Sequence, residues 1–328
     1  MGLITDIQQI RDHVNIDSSL KLAIMNPHVN FTERYIKKVL GTAQYLALKT
    51  AVDTTSTTQE QDALLAEIYP ALSRLSVASW AVAGALSMSS SGIRRIEDSN
   101  EKTAFKYQED ALVRRLVQEG YEAIDDLVAF LEENEGDYTL WANDAVAFTK
   151  FKQFFINTTE EFELEYSIGG SRLTFRAFYG LLKHVDYMAL RPILGADFYD
   201  ELKNEIKDRS VSAENEALLA EFIRPAAAHL VIAEAMDVLP VQISESGVRV
   251  VEILQSFPSD AIEKNAPAEV RAPKRAAAIE KAKQYMNGLD AELKGNASAT
   301  KYATYFANVA SESSTDGNTD TTKGVYRA

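Results

Sequence analysis

The pentapeptide Ala63–Glu67 (ALLAE) occurs a second time, letter for letter, as Ala217–Glu221, displaced by 154 positions. The residues before it return at the same displacement: Leu40, Gly41 and Tyr45 are matched by Leu194, Gly195 and Tyr199. Beyond it the displacement becomes 155 and holds: Pro70, Leu75 and Ser91–Arg94 are matched by Pro225, Leu230 and Ser246–Arg249. Three blocks in one order, with a single one-residue slip, indicate an internal duplication.

The whole-chain numbers agree with two domains. The chain has 328 residues, and the repeat displacement is close to half that length. Apolar residues make up 46% and charged residues 25%, which is typical of soluble globular proteins. A formal charge of −14 argues against wrapping nucleic acid by neutralising its phosphates. The absence of cysteine excludes disulfides, thiolate catalysis and Cys-ligated metals.

The sequence also predicts a protein without a membrane span. The first residues contain no basic segment followed by an apolar run, so we expect no secretory signal. The longest mainly apolar stretch, Val77–Met88, is shorter than the roughly 20 residues that cross a bilayer.

Hydrophobic periodicity predicts a mainly α fold. Apolar residues recur at helical spacing in Phe31–Leu40, Gln59–Met88, Lys102–Glu133 and Arg275–Leu293. Val241–Val250 alternates apolar and polar residues on both sides of a Ser-Gly turn, and Leu86–Ile93 is its counterpart in the first copy. This pattern predicts a small β-hairpin in each of two tandem helical-bundle copies.

The stretch between the copies has a different, aromatic character. Phe162, Leu164, Tyr166 and Ile168 alternate with polar residues up to Gly169-Gly170, which is typical of a strand, and Arg172–Phe175 follows as the second strand of a hairpin. We therefore expect a short β segment between the copies. The predicted domains are a first helical repeat at 1–134, an aromatic/β linker at 135–170, a second helical repeat at 171–295 and a Ser/Thr-rich C-terminal tail at 296–328.

No motif for catalysis or metal binding emerges. The four histidines are His13, His28, His184 and His229, and none lies three or four residues from another. Phosphate loops, dinucleotide fingerprints and nucleophile elbows do not occur. Acidic clusters such as 132–135 lack the order of a calcium loop. We expect a protein that is not an enzyme and has no cofactor or metal, with Tyr45 and Tyr199 as packing residues.

Two groups of residues are candidates for contact with partners. Arg94 and Arg249 are predicted to fall at the hairpin tips of the two copies, although ordinary surface ion pairing is the alternative interpretation. The tail is too polar to form a core of its own, yet it retains aromatic residues that favour docking onto a neighbour. The predicted interface residues are therefore Arg94, Arg249, Tyr302, Tyr305, Phe306 and Tyr326.

Several motifs together carry a family resemblance. They are Leu3–Ile7, Tyr35-Ile36 with Leu40-Gly41 and Tyr45, Trp141, Glu161-Phe162 and Ser171–Phe175. In these motifs the chain resembles, over roughly residues 1–290, a duplicated helical family of tailed phages and prophages of gut bacteria, of the crAss-like type. Members of that family are taken to be virion proteins of the head–tail connector.

The resemblance implies a homo-oligomeric ring, typically a dodecamer, stacked below the portal protein and next to other tail and ring proteins in the virion. DNA would pass through its channel without sequence-specific binding, and an acidic wall would let it slide. Two alternatives remain open. One is a helical scaffolding or adaptor module outside any virion, and the other is an enzyme with an unrecognised carboxylate site.

Overall fold

The computed structural model describes residues 2–84, 86–89, 92–95, 106–144, 154–244, 247–250 and 266–315. These residues fall into two compact units. Unit 1 comprises residues 1–151, 168–177 and 239–267, and unit 2 comprises residues 152–167, 178–238 and 268–328. Each unit consists mainly of one sequence copy, but two short segments of the second copy belong to unit 1.

The first copy contains five helices and a hairpin within the part of the chain described. The elements are α1 Ile7–Arg11, α2 Leu22–Asp53, α3 Gln59–Gly84, β1 Leu86–Ser89, β2 Gly92–Arg95, α4 Lys106–Glu133 and α5 Thr139–Ala142. The apolar faces of α2 and α4 both pack against α3. Their buried side chains, such as Leu40, Ile68 and Leu127, form the core of unit 1.

The second copy repeats this order in more pieces. Its elements are α6 Thr159–Glu165, α7 Arg172–Ala177, α8 Tyr179–Val185, α9 Arg191–Leu194, α10 Ala196–Asp208, α11 Ala213–Leu218, α12 Arg224–Val238, β3 Val241–Ser244, β4 Gly247–Val250, α13 Ala268–Asn296 and α14 Ala303–Thr315. π-Helical turns at Asp186–Leu190 and Leu219–Ile223 join α8 to α9 and α11 to α12. The mainly α fold with two tandem copies is confirmed.

Both predicted hairpins are present. β1 and β2 are antiparallel with Leu86 opposite Arg95. β3 and β4 repeat that register with Val241 opposite Val250, each partner shifted by 155 positions.

A glycine breaks the long second helix at the same place in each copy. Gly41 has φ 76° and ψ 167°, and Gly195 has φ 75° and ψ 158°. Side chains avoid this region of backbone conformation, so glycine is required at both positions. The break at Gly41 leaves the Val39 carbonyl without its helical donor, and the buried Trp141 indole Nε1–H donates to it at 3.0 Å.

The predicted β segment between the copies is wrong, because the structure has helices there. Thr158 Oγ1 accepts the Glu161 N–H at 3.1 Å, and the Glu161 carboxylate accepts the N–H of Asn157 at 2.7 Å. This capping box starts α6 and outweighs the strand-like alternation of the aromatic residues. Leu164, on the supposed inner face of the strand, is 84% exposed.

Helix α6 is the counterpart of α1, so the second copy begins before residue 171. In α1 the Gln9 side-chain oxygen accepts the Thr5 N–H at 2.8 Å, as Glu161 accepts that of Asn157. The residues that precede and follow the two caps are buried in the same order: Leu3, Ile4 and Ile10 correspond to Phe155, Ile156 and Phe162. The part of the predicted linker around Thr159–Glu165 is thus the first helix of the second copy.

The predicted tail contains the closing helix of the second copy. Tyr138 and Trp141 are buried at α5, which packs on α2, and Tyr302 and Tyr305 are buried at α14, which packs on α10. The two buried aromatic residues are three residues apart in both copies. Asp144 is the residue closest to Gly41 in the first copy, and Asn308 is the residue closest to Gly195 in the second. The second copy therefore continues past residue 295 to α14.

The π-helical turns explain why the displacement between matched residues of the two copies increases by one at certain points. A π turn accommodates one more residue than an α turn. Glu67 and Pro70 are three residues apart, whereas Glu221 and Pro225 are four apart, and the turn Leu219–Ile223 lies there. Since Ile68 and Ile223 are both fully buried, Phe222 is the inserted residue.

The two glycines differ in how tightly they are enclosed. A Cβ at Gly41 would lie 2.2 Å from Asp144 Oδ2, whereas the nearest atom to a Cβ at Gly195 is Asn308 Nδ2 at 3.9 Å. We expect Gly195→Ala to lower the free energy of unfolding by about 1–3 kcal/mol through backbone strain. Gly41→Ala should cost more, because Asp144 must also move.

Urea unfolding followed by circular dichroism measures both values. Gly136→Ala is the control, since nothing lies within 4 Å of its Cβ position, and it should leave stability unchanged or slightly higher. A Gly41→Ala variant as stable as Gly136→Ala would contradict the assigned backbone break.

Candidate functional site

A buried carboxylate joins three segments of unit 1. Glu33 on α2 is 6% exposed, and its Oε1 accepts the backbone N–H of Leu3. Its Oε2 accepts the Tyr45 hydroxyl at 2.6 Å. Burial and the neighbouring Glu33 raise the pKa of Tyr45, so this hydroxyl keeps its proton and acts as a donor. Glu33 thereby ties the start of the chain to both halves of the broken helix.

Unit 2 contains the corresponding carboxylate with a different partner. Asp186 lies in the first π turn, is 1% exposed, and its Oδ2 accepts the backbone N–H of Phe155 at 3.2 Å. The same oxygen accepts a charge-assisted hydrogen bond from Lys203 Nζ on α10. Since Phe155 is the counterpart of Leu3, Asp186 holds the first segment of its copy as Glu33 does.

The Asp186–Lys203 pair is enclosed by aromatic rings. Lys203 Nζ lies 3.9 Å from the ring centre of Phe155 and 5.4 Å from that of Tyr199. Burial lowers the pKa of Lys203, while the Asp186 carboxylate opposes that shift. Burial together with the Asp186 charge raises the pKa of Tyr199 to about 12. Because these groups are turned inward and held by one another, their arrangement fits a structural anchor better than a reaction centre.

A second polar cluster lies within unit 1, where α7 meets α4. The Asp125 carboxylate accepts the Leu173 N–H at 2.8 Å and the Ser171 hydroxyl at 3.0 Å, which caps the start of α7. Arg172 Nε donates to Glu132 at 2.9 Å. Burial raises the pKa of Asp125, and its hydrogen bonds and the nearby arginines oppose that shift. The cluster fastens a segment of the second copy to unit 1.

Arg249, a predicted interface residue, belongs to the same neighbourhood. Its Nη2 donates to the Gly169 carbonyl at 3.3 Å, and Asp125 lies close enough to interact with its charge. Arg249 sits within β4, opposite Gln242, and not at the hairpin tip. Its observed contacts are therefore within the chain.

The predicted aromatic interface residues differ in their exposure to solvent. Tyr302 and Tyr305 are buried, with ring centres 5.9 and 6.3 Å from that of Phe198 on α10. Phe306 points the other way and is 43% exposed. Arg94 lies in β2, whose side chains are outside the described part, as is the whole of Tyr326.

The candidate histidines lie in separate places. His28 Nδ1 is 2.9 Å from Ser79 Oγ, and His184 Nε2 is 3.7 Å from Glu234. His229 is buried between the rings of Tyr285 and Tyr166, with centres 6.0 and 5.6 Å away. Burial lowers the pKa of His229, which keeps the ring neutral and suits its packing role.

Exposed apolar side chains occur on several helices. Phe306 and Val309 lie three residues apart on one face of α14 and are 43% and 47% exposed. Tyr187 and Met188 are exposed on the first π turn. Of these four residues, only Phe306 was predicted from the sequence as an interface residue. The sequence could not single out the other three, because the exposure of a side chain depends on which face of its helix is covered by neighbouring helices.

Sequence reasoning also missed Glu33, Asp186 and Lys203. One signal was present: Glu33 and Gly41 are eight residues apart, whereas Asp186 and Gly195 are nine apart, which marks the first π turn. The repeat did not reveal the pairing, because the partner of the carboxylate is Tyr45 in one copy and Lys203 in the other.

Two kinds of feature are absent from the residues that the structure describes. There, no group of three or more histidine, aspartate or glutamate side chains is arranged to hold a metal ion. No helix in the same ranges combines the length and apolar character that crossing a membrane requires.

Comparison with known families matches both copies. The sequence matches the family of unknown function DUF6712 over residues 36–147 and again over residues 190–315. The two matches start 154 positions apart, as Gly41 and Gly195 do, and the second ends where α14 ends. The chain belongs to this family, as a protein built from two copies of its domain. No curated protein and no solved structure gave a significant match.

The buried pair in unit 2 leads to a stability prediction. Asp186→Asn and Lys203→Met should each lower the free energy of unfolding by about 3–5 kcal/mol, because each leaves a buried partner uncompensated. The double variant should cost less than the sum of the two single variants. Urea denaturation at neutral pH measures this double-mutant cycle.

An exposed ion pair supplies the control. Asp237 accepts from Arg275 Nε at 2.7 Å, and both side chains are more than 40% exposed. Asp237→Asn should therefore cost less than about 1 kcal/mol. Equal effects of Asp186→Asn and Asp237→Asn would contradict the anchoring role of Asp186.

Proposed function

We propose that the protein is a non-enzymatic structural subunit of a tailed-phage head–tail connector, present in the virion as a ring of identical copies below the portal protein. Its resemblance to connector-type virion proteins supports this role. The features shared by both copies support it as well, because the capped first helix, the glycine break and the buried carboxylate all serve packing. Duplicated packing features suit a rigid subunit with two related surfaces.

The observation that carries the proposal is the two-sided character of α14. Tyr302, at its start, and Tyr305 anchor the helix to α10. On the outer side, Phe306 and Val309 remain 43% and 47% exposed on one face. A helix fixed in place with apolar residues outward presents a preformed contact surface, at little ordering cost on association.

The charge of the chain fits a channel wall. With a formal charge of −14, the protein would repel DNA phosphates and would let DNA pass without sequence-specific binding. Portal and neighbouring tail or ring proteins would contact the two ends of the ring. These partners follow from the proposed position in the virion.

Light scattering and negative-stain imaging of the purified protein, alone and with its portal-side neighbour, test the proposal. We expect a closed ring of about twelve copies. Phe306→Asp combined with Val309→Asp should convert the ring to monomers, because the variant places charge in the apolar contact. Circular dichroism would verify that the variant is folded.

The control keeps the face apolar. Phe306→Leu combined with Val309→Ile should still assemble, since the contact needs apolar area more than these particular side chains. A wild-type protein that stays monomeric and ignores its neighbour would refute the connector role and favour an adaptor outside the virion. A ring that survives the aspartate variant would exclude α14 as the contact.

A further inference from the structure

A groove opens on the surface of unit 2, at the start of the helical run Ala213–Val238. It has a volume of about 370 Å³. Ala217 and Phe222 contribute apolar surface, and Tyr302 lines it from the start of α14. Glu214 and Glu221 are exposed at its edge, and they have no cationic partner among the residues that the structure describes.

One residue in the lining of the groove has no counterpart in the first copy. Phe222 is the residue inserted at the second π turn, and its ring packs on α13 at Gly288, where a Cβ would lie 2.8 Å from it. Such insertions frequently accompany functional sites. The insertion thus places an aromatic ring in the wall of the groove.

The corresponding place in the first copy is joined differently. There the Tyr138 hydroxyl donates to the Glu60 carbonyl at 2.8 Å, which joins the closing segment to the start of α3. In the second copy the Tyr302 hydroxyl donates to the Glu292 carboxylate at 3.4 Å. Glu214, the counterpart of Glu60, is left beside the groove.

We propose that this groove binds the segment Lys323–Arg327 (KGVYR) of the same chain. The lining carries three carboxylates, on Glu214, Glu221 and Glu292, and one cation, Lys301, which pairs with Glu292 at 2.7 Å. The segment has two cations and no carboxylate. Val325 and Tyr326 match the apolar wall in character. The proposal is independent of the connector role, because it concerns one chain.

The spacing of the charged residues and the length of the chain beyond α14 both allow Lys323–Arg327 to bind in the groove. Glu214 and Glu221 are seven residues apart on a helical run, which is about 10 Å of rise. Lys323 and Arg327 are four residues apart, about 13 Å when extended, and their long side chains cover the difference. The eight residues from Thr315 to Lys323 reach about 26 Å, more than the roughly 20 Å length of α14 that separates Thr315 from the groove.

Disulfide trapping in the full-length chain tests the proposal, since the protein has no cysteine of its own. The trapping variant combines Ala217→Cys, inside the groove, with Gly324→Cys. Under mild oxidation of dilute protein, we expect at least ten times more intramolecular disulfide than in the control pairs. Non-reducing electrophoresis and peptide mass mapping quantify the product.

Two control pairs keep Gly324→Cys and move the other cysteine. Ala220→Cys is exposed on the same helical run outside the groove lining, and Ala63→Cys is the exposed counterpart of Ala217 in the first copy. Similar disulfide yields in all three pairs, or products that join only different chains, would overturn the proposal.

The electrostatic part has its own test. Glu214→Gln with Glu221→Gln, added to the trapping variant, should lower the disulfide yield several-fold, and about 0.5 M salt should do the same. Unchanged yields in both cases would refute recognition by charge. These readouts do not require assembly, so failure here is distinct from failure to form a ring.

Discussion

In each half of the chain, one buried carboxylate accepts the backbone N–H of the residue that leads into the first helix. Glu33 holds Leu3, and Asp186 holds Phe155. A buried carboxylate is costly unless its oxygens find donors. The fold brings a third segment to the same point, where Tyr45 donates to Glu33 in the first copy and Lys203 donates to Asp186 Oδ2 in the second. The first helix, the long helix and its continuation beyond the glycine therefore meet at one place.

The duplication could be recognised from the sequence, because glycine, proline and buried aliphatic residues are repeated where the backbone or the core requires them. Gly41 and Gly195 are matched since only glycine adopts their conformation at low cost. The hairpins were predicted for a similar reason, as both strands alternate around a short turn. Features that depend on a particular backbone or packing constraint could thus be predicted from the residue types in the sequence.

The ends of the second copy were not recognised, and the physical reasons differ. At α6 the aromatic residues alternate as in a strand, but the capping box of Thr158 and Glu161 stabilises a helix instead. At α14 the polar composition suggested a tail, but Tyr302 and Tyr305 suffice to anchor the helix on Phe198. The candidate site residues were harder still, because partners such as Lys203 and Asp186 come together only through the packing of separate helices.

The copies have diverged around this common frame. The first uses a neutral hydroxyl against its carboxylate, and the second uses a charged amine. The second copy also carries the inserted Phe222 and an open groove where the first has the Tyr138 hydrogen bond. Similar domains with unlike surfaces suit a subunit that meets different neighbours at its two ends, as the proposed connector role requires.

Amide hydrogen exchange followed by NMR at Leu3 and Phe155 tests the anchoring by buried carboxylates most directly. Both residues lie outside helices, where amides without a partner exchange quickly. We predict that both amides are protected like those in the middle of α4 and α10. Exchange of either amide at the rate of an unstructured peptide would contradict it.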